Sequence, residues 1–316
     1  AFNQLHAAQK ILYKPNERVN LDFGLHYATT SNVPRYDRLS VLDQDSNLKY
    51  AEWAYGPQSW LMANTQLTKL SSKSQFYDKI KINTAYQNFK ESRISRKFEA
   101  TDRMIRSESV NAFSFNIDLD KLLSEKVNIS YGAEYLFNRV GSEGISYDVE
   151  SNDIQTIASR YPDGSTWASL ASYLSLKYKP NNRFTFQSGV RYNAISINSD
   201  LSPNSQFYPL PFLNASLDTS AMSATAGFSW EHNEIFLWKL NTTTAFRAPN
   251  IDDIGKIFDS QPGSVVIPNS SLKPEYAYGC ELGLNININN SILIDVSSYY
   301  THLDNAITRD FISING

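Results

Sequence analysis

The sequence predicts an all-β fold, namely a transmembrane antiparallel up-and-down β-barrel of about twelve strands. Three observations lead to it. Apolar and polar residues alternate with period two, short turns alternate with long loops, and no apolar run reaches the ~18 residues that a membrane helix requires. Because barrel strands carry apolar residues on one face only, such a chain is hydrophilic on average. The mean hydropathy of −0.39 with 41% hydrophobic residues fits that expectation.

The period-two alternation is clearest in three segments of the second half and middle of the chain. They are 127–138, 184–193 and 276–288. In the second segment, Phe184, Phe186 and Val190 fall on one side. Thr185 and Gln187 fall on the other. Since successive side chains of a strand point to opposite faces, each segment predicts a strand with one apolar and one polar face.

The connections between the predicted strands are of two kinds. Short turns are predicted at 14–17, 71–74, 120–126, 179–182, 231–234 and 289–290. Longer polar stretches lie near 30–47, 98–105, 139–166, 198–218 and 247–274. Tight turns at one rim and long loops at the other are typical of barrels in an outer membrane.

Strand length and aromatic content favour a membrane barrel over a soluble β-sandwich. Segments 75–97 and 275–289 exceed the ~5–6 residues of ordinary soluble strands. The chain also contains 19 Tyr, 17 Phe and 5 Trp residues. Trp230 and Trp238 flank the turn at 231–234, where an interfacial aromatic girdle would lie. A sandwich core would rarely hold so many tyrosines, because each buried hydroxyl needs a partner.

Charge and cysteine content exclude several functional classes. The net charge of −3 gives no indication of a nucleic-acid partner, and Cys280 alone forms no intrachain disulfide. The N-terminal residues lack the layout of a signal peptide. Motifs for nucleophilic catalysis and phosphate binding are also missing, so no catalytic residue is assigned.

Metal and cofactor sites are not expected either. The four histidines, which lie far apart in the sequence, are His6, His26, His232 and His302. The loop acids whose oxygens could in principle bind Ca²⁺ are Asp43, Asp45, Asp252, Asp253 and Asp259. Their spacing matches no calcium loop, so a solvated loop is favoured. We therefore assign no metal and no cofactor.

Segment 241–284 carries motifs that go beyond periodicity. It contains Phe246-Arg247-Ala248-Pro249, and, further on, Pro268-Asn269-Ser270-Ser271-Leu272-Lys273-Pro274-Glu275. These resemble the paired signature of TonB-dependent outer-membrane receptors, in which a strand ends in the first box and the second box opens the next strand. Ser270 stands where that family commonly has proline. Residues 160–165, Arg-Tyr-Pro-Asp-Gly-Ser, are similar to the family's barrel in style.

The resemblance implies energy-coupled import of a bulky, scarce nutrient across a bacterial outer membrane. An iron chelate (siderophore or heme) is the first ligand class, followed by a cobalamin or a glycan. Family heme receptors often carry a histidine between the two boxes, and this sequence has none between Pro249 and Pro268. The implied partners are a TonB-type energy-transducing complex, the nutrient and outer-membrane lipid. The chain is expected to be non-enzymatic.

The same resemblance implies a domain organisation. Family members begin with a plug that fills the barrel and a segment that engages the energy transducer. Neither is recognisable, so 1–316 is interpreted as a barrel segment of a larger parent barrel. An open sheet of twelve strands would expose two edges, which do not persist in a bilayer.

Arg247, Asp252 and Asp253 are the candidate ligand-binding residues. Strand parity with Phe246 facing lipid turns Arg247 towards the lumen at the rim. For Arg247 a salt bridge or carbonyl clamp that ties the loop down is favoured over direct ligand contact, and Glu275 is expected to have a basic partner. Between the boxes, Ile251, Ile254, Ile257 and Phe258 have helical spacing, which predicts a short amphipathic turn.

Two other functional hypotheses remain open from the sequence. A self-contained barrel of about twelve strands could act as a passive channel or an outer-membrane enzyme. A soluble β-rich binding module is the third. A plug encoded before Ala1 and further strands after Gly316 would separate the first hypothesis from the second.

Overall fold

The fold is seen in a computed structural model that describes residues 1–208, 212–254, 259–261, 264–265, 269, 271–289 and 291–308. In the first half of the chain the strands are β1 (Gln4–Asn16), β2 (Val19–Thr30), β3 (Val33–Pro34), β4 (Tyr50–Tyr55), β5 (Gln58–Leu70), β6 (Lys79–Lys97), β7 (Asp102–Ser124), β8 (Val127–Asp148) and β9 (Ile154–Thr156). In the second half they are β10 (Thr166–Asn181), β11 (Phe184–Asp200), β12 (Asn214–Glu231), β13 (Phe236–Arg247), β14 (Asp259–Gln261), β15 (Ser264–Val265), β16 (Glu275–Ile288) and β17 (Ile292–Asp304). The helical pieces are α1 (Tyr36–Leu39), a 3₁₀ turn at Ser202–Asn204 and α2 (Ile251–Ile254).

Twelve long strands form one continuous antiparallel path, in the order β1-β2-β5-β6-β7-β8-β10-β11-β12-β13-β16-β17. Three short strands lie off this path, since β3 pairs with β4, β4 with β6 and β9 with β8. The predicted all-β, antiparallel up-and-down arrangement of about twelve strands is therefore confirmed. Within the described residues, β1 and β17 do not pair with each other, and the sheet is open. No helix in the described part of the chain has the length and hydropathy that a bilayer crossing requires.

The two faces of the sheet differ in polarity. On β11 the alternate residues Phe186, Val190 and Tyr192 are exposed, whereas Arg191 is half-buried and Asn193 is buried between them. Cα partners on neighbouring strands share a face, so this division continues around the sheet. In a barrel of this kind the apolar face is the outer one, and we call the other the inner face.

Several strands are longer than the sequence predicts. The predicted loops at 98–105, 139–166 and 198–218 are wrong at their ends, because β7 begins at Asp102, β8 reaches Asp148 and the β11–β12 ladder extends to the pair Asp200–Asn214. In these extensions polar residues such as Arg103, Glu143 and Asn198 interrupt the apolar outer face. The alternation of apolar and polar residues is therefore lost although the backbone ladder continues. A prediction from hydrophobic periodicity then ends the strand too early.

Aromatic residues gather at the tight-turn rim, as predicted for Trp230 and Trp238. These two tryptophans are Cα partners across β12 and β13. The ring of Phe184 stacks on Trp230 with 6.0 Å between centroids, and His232 meets Trp230 edge-on at 4.8 Å. Such a belt of amphipathic rings suits the boundary between hydrocarbon and water.

One glycine on the inner face is required by close packing. A Cβ at Gly132 would lie 2.2 Å from the carbonyl oxygen of Ile117 and 2.7 Å from the ring of Tyr173. The Tyr173 hydroxyl donates a hydrogen bond to Asp118 at 2.6 Å across this glycine. The missing side chain thus lets the tyrosine lie flat over the sheet.

We predict that Gly132→Ala destabilises the folded sheet by about 1–3 kcal/mol, the usual cost of overpacking. Gly189→Ala is the matched control, because its added Cβ would find only ordinary contacts at 3.5 Å or more. Urea unfolding followed by tryptophan fluorescence measures both variants. Equal midpoints for the two would contradict the packing role of Gly132.

Candidate functional site

The candidate site lies at the long-loop rim, where the chain leaves β13 and turns onto the inner face. Pro249 is buried and has no N–H for the ladder, so β13 ends before it. Asn250 and Asp253 then cap α2 reciprocally. The Asn250 Oδ1 accepts from the Asp253 N–H at 3.1 Å, and the Asp253 Oδ2 accepts from the Asn250 N–H at 2.9 Å.

The α2 turn docks through two isoleucines. Ile254 is fully buried and Ile251 is 8% exposed, and they pack with Ile195 and Ile197 of β11. The half-buried residues around them are Val140, Tyr161, Trp167, Leu217, Phe246, Ala248 and Leu272. We call this set the rim cluster. Each buried isoleucine contributes roughly 1.5–3 kcal/mol, so apolar contacts are the main force that holds α2 in place.

The predicted amphipathic turn is therefore confirmed over Ile251 and Ile254, while Ile257 and Phe258 lie outside the described residues. Phe246 has the parity of the outer face, yet it is half-buried and packs against the rim cluster and the ring of Tyr276. Phe246 thus has the predicted strand parity, but its ring packs against neighbouring side chains instead of projecting freely from the outer face. The reason is that Phe246 packs against the buried cluster that contains Ile251 and Ile254 of α2.

Arg247 joins three elements at the base of this loop. Its Nη2 donates to both carboxylate oxygens of Asp253 at 2.9 and 2.8 Å, and its Nη1 donates to Glu275 Oε2 at 3.2 Å. Glu275 is its Cα partner on β16 and also accepts from the N–H of Ile307. These contacts agree with the interpretation of Arg247 as a clamp and supply the expected basic partner of Glu275.

The clamp has consequences for both charges. Hydrogen bonding to Asp253 raises the pKa of Arg247, and the Ile307 N–H together with Arg247 lowers the pKa of Glu275. The Arg247 side chain is 46% exposed, so one side of the guanidinium remains open to solvent. Contact of Arg247 and Asp253 with a ligand stays a prediction.

Asp252 lies on the other side of α2 and connects two loops. The Tyr161 hydroxyl donates to its Oδ1 at 2.6 Å, and Tyr161 belongs to the loop between β8 and β10. Burial is the largest cause and this hydrogen bond the next largest, and together they raise the pKa of Tyr161 to about 12. Asp252 therefore holds the two loops together, and its predicted ligand contact is likewise untested.

An ionic network beside Tyr161 was not predicted from the sequence. Arg160 is 5% exposed, and its Nη1 lies 3.5 Å from Glu108 Oε2 and 3.7 Å from Glu91 Oε1. Its guanidinium also lies 5.2 Å from the Tyr161 ring. Burial raises the pKa of Glu108, and the opposing charge of Arg160 limits that rise. Arg160 thus anchors the loop whose next residue reaches Asp252.

Few features of the sequence point to this network. Residues 160–165 show only a general similarity to the barrel of the receptor family. Glu91 and Glu108 fall on long polar strands, where a buried carboxylate has the same appearance as a solvated one. Asp43 accepts hydrogen bonds from the backbone N–H groups of Asp45 and Asn47, each at 2.9 Å. Among the described residues, no group of three or more His, Cys, Asp or Glu residues is placed to hold a metal ion.

The architecture and the rim geometry can be compared with known proteins. Residues 6–316 match the family model described as "TonB dependent receptor-like, beta-barrel". The chain belongs to the TonB-dependent receptor family. It forms part of the β-barrel domain, and the resemblance drawn from the two boxes is confirmed. Members of this family are receptors and transporters. A search of curated proteins found no match.

Solved structures of the family share the fold at low sequence identity. The copper transporter OprC superimposes with a TM-score of 0.74 at 11% identity, covering 96% of this chain and 45% of its own. The ferric yersiniabactin uptake receptor FyuA from Yersinia pestis gives 0.65 at 12% identity, covering 96% and 45%. The siderophore receptor PiuA from Acinetobacter baumannii gives 0.64 at 11%, covering 94% and 49%. The chain therefore spans about half the length of these relatives.

We predict that Ile254→Ala releases α2 far more than Arg247→Ala does. Losing a buried isoleucine costs about 2–5 kcal/mol, whereas a half-exposed ion pair is worth about 0.2–1 kcal/mol. Hydrogen exchange of the 250–254 amides should rise by at least about thirtyfold in the first variant and less than about sixfold in the second. Ile154→Ala, at a side chain that is 65% exposed, is the control. Similar exchange in all three variants would contradict apolar docking.

The Tyr161–Asp252 contact gives a separate prediction. Tyr161→Phe and Asp252→Asn should each weaken the link between the loops, and a double-mutant cycle should give a coupling of about 1–3 kcal/mol. Since the pKa of Tyr161 is raised, its contribution is complete below pH ~10, the ordinary tyrosine value, and is lost as pH rises through about 12.

The measurement combines loop hydrogen exchange at neutral pH with tyrosinate absorbance during alkaline titration. The difference between wild type and Tyr161→Phe should show one phenol titrating near pH 12. Tyr13→Phe, at an exposed tyrosine of β1, is the control. A Tyr161 phenol that ionises with the bulk of the tyrosines would show that the contact does not exist in solution.

Proposed function

We propose that this chain forms much of the barrel wall of an outer-membrane receptor for energy-coupled uptake of a bulky, scarce nutrient. The observation that carries the proposal is the match of residues 6–316 to the receptor barrel family. The outer face of exposed apolar side chains and the aromatic cluster at the tight-turn rim support a position in the outer membrane.

An iron chelate, siderophore or heme, is the ligand class that we propose first. Similar solved structures include receptors whose names state ferric yersiniabactin and ferric citrate, and a hemophore receptor in complex with its hemophore and heme. A copper transporter is also similar. Because these identities are near 12%, the support is for the class of bulky metal complexes, and cobalamin or a glycan follows as a further candidate.

The rim geometry suggests how binding would be transmitted. Arg247 presents a half-exposed guanidinium at the base of the loop, and Asp252 and Asp253 lie on α2 beside it. A ligand that competes for Arg247 would weaken the grip on Asp253 and so favour release of α2 from the rim cluster. We assign gating of the lumen to a plug domain outside residues 1–316, which a TonB-type complex would engage.

The test is uptake of radioactive iron by the source cell with and without the gene. Deletion should abolish uptake of one class among ferric siderophores and heme, with cobalamin and copper as further arms. Dissipating the proton gradient should abolish the same uptake. Uptake that survives loss of the gradient would indicate a passive channel, and recovery of the protein in the soluble fraction would overturn the membrane position.

Site residues are tested in the same assay. Arg247→Ala and Asp252→Asn should lower apparent affinity about tenfold, which corresponds to about 1.4 kcal/mol of lost interaction. Arg183→Ala, at an exposed turn on the opposite rim, should leave affinity unchanged. Wild-type affinity in both rim variants would remove these residues from the binding site and leave the receptor assignment standing.

A further inference from the structure

The inner face beneath α2 carries an apolar patch. Along β11 the inner positions change from the polar Asn193 to Ile195 and Ile197. Trp167 of β10 and Leu217 of β12 are the Cα partners of Ile197 and flank it. We call Ile195, Ile197, Trp167 and Leu217 the covered patch, because Ile197 is fully buried and packs with the isoleucines of α2. The lumen side of such a barrel is normally polar, so this patch needs a cover.

The α2 turn contributes two kinds of chemical group to this region. Ile251 and Ile254 pack on the covered patch. The two aspartates between them accept hydrogen bonds from Arg247 on one side and from the Tyr161 hydroxyl on the other. Two apolar side chains and two carboxylates therefore come from four consecutive residues. Chemically, α2 is an apolar body that carries carboxylates.

The four residues of α2 are too few to hold a helix on their own. Isolated helices shorter than ~12–15 residues are marginal in water, so α2 is ordered by its contacts with the barrel wall and the neighbouring loop. Release of α2 would uncover the covered patch. It would also free one side of Arg247, whose Nη1 would still donate to Glu275. The exposed surface would then combine an apolar area with an adjacent cation.

The chemistry of this surface determines which ligand can replace α2. A simple anion would pair with Arg247 but leave the covered patch in water, and burial of apolar surface is the larger contribution to docking. A wholly apolar compound would cover the patch but leave Arg247 without the carboxylate that Asp253 supplies. A molecule that combines an apolar body with a carboxylate satisfies both, as α2 itself does.

We propose that the covered patch and Arg247 form a binding site for an amphiphilic carboxylate, and that α2 occupies this site when no ligand is bound. The apolar body of the ligand rests on Ile195 and Ile197, and its carboxylate takes the place of Asp253 at Arg247 Nη2. The inference rests on the proposed function and names the ligand chemistry, which is a chelate whose organic shell carries a free carboxylate beside an apolar surface.

The experiment measures binding of pyrenebutyrate to the full receptor in nanodiscs by fluorescence, with empty nanodiscs as the blank. Pyrenebutanol has the same ring without the carboxylate, and citrate has carboxylates without an apolar body and is read by competition. Pyrenebutyrate should bind at least about tenfold more tightly than pyrenebutanol, and citrate should not displace it. Equal affinities for the two pyrene probes, or displacement by citrate, would overturn the assigned ligand chemistry.

The variant Ile254→Ala tests whether α2 competes with the ligand. Apparent affinity is proportional to the fraction of receptor whose site is open, so weaker docking of α2 should raise the affinity for pyrenebutyrate at least about tenfold. If α2 were part of the binding surface, the same variant would bind the probe more weakly. Unchanged or lower affinity would overturn the proposal. Gel mobility before and after heating reports folding, and Ile251→Ala replaces this variant if it does not fold.

Two further changes, made in the Ile254→Ala background where α2 no longer competes, test the two halves of the site. Arg247→Ala should reduce the preference for pyrenebutyrate over pyrenebutanol to less than about threefold, and Ile197→Thr should weaken both probes at least about tenfold. Ile129→Thr makes the same change on the outer face of β8 and should leave binding unchanged. Equal binding by all three variants would contradict the assigned site.

The outcomes also separate this inference from the proposed function. A receptor that imports an iron chelate, but whose Ile254→Ala variant binds pyrenebutyrate no more tightly than wild type, would overturn the occupancy by α2 alone. Probe binding as expected in a protein whose deletion affects no uptake would leave the site standing and overturn the receptor proposal.

Discussion

The constraint on which the structure depends is the pairing of backbone N–H and C=O groups in an unbroken antiparallel ladder. In hydrocarbon an unpaired backbone group costs several kcal/mol, so a strand wall must satisfy every one internally. Twelve long strands, with full registers such as the pairing of Phe184–Asp200 with Asn214–Trp230, meet this demand between neighbours, while the outer edges of β1 and β17 have no partner strand among the described residues. The side chains of the two faces can then differ in polarity, and this difference produces the two-residue period of the sequence.

The same ladder continues beyond the apolar band towards the long loops. There the polarity of the two faces is reversed, with apolar residues on the inner face and polar residues on the outer one. On β11 the inner positions change from Arg191 and Asn193 to Ile195 and Ile197, while the outer ones become Ser196 and Asn198. The inner apolar patch has no lipid to cover it. Ile251 and Ile254 cover it instead. The hydrophobic effect therefore holds the loop against the inner face, just as it favours lipid contact for the apolar band of the outer face.

This reversal explains how much of the molecule could be predicted from sequence. The strand number, the turns and the α2 turn can be predicted from local patterns, because each depends on residues that are close together in the sequence. The Arg247 clamp follows from parity and a nearby acid. The Arg160 network does not, because it joins residues 52 and 69 positions apart and depends on a loop folding inwards. The strand extensions escape prediction because both their faces are partly polar.

The long-range contacts join the loop between β8 and β10 to α2 and to the strands of the wall. Tyr161 belongs to the rim cluster and holds Asp252, while Arg160, its neighbour in sequence, holds Glu108 and Glu91 of the wall. Displacing α2 therefore strips Tyr161 of its carboxylate partner and uncovers Ile195 and Ile197 in one event. A partly docked arrangement would leave the half-buried phenol and the apolar side chains without partners, so intermediate positions of the two loops are disfavoured. In the proposed receptor, a ligand that displaces α2 would therefore act on both loops.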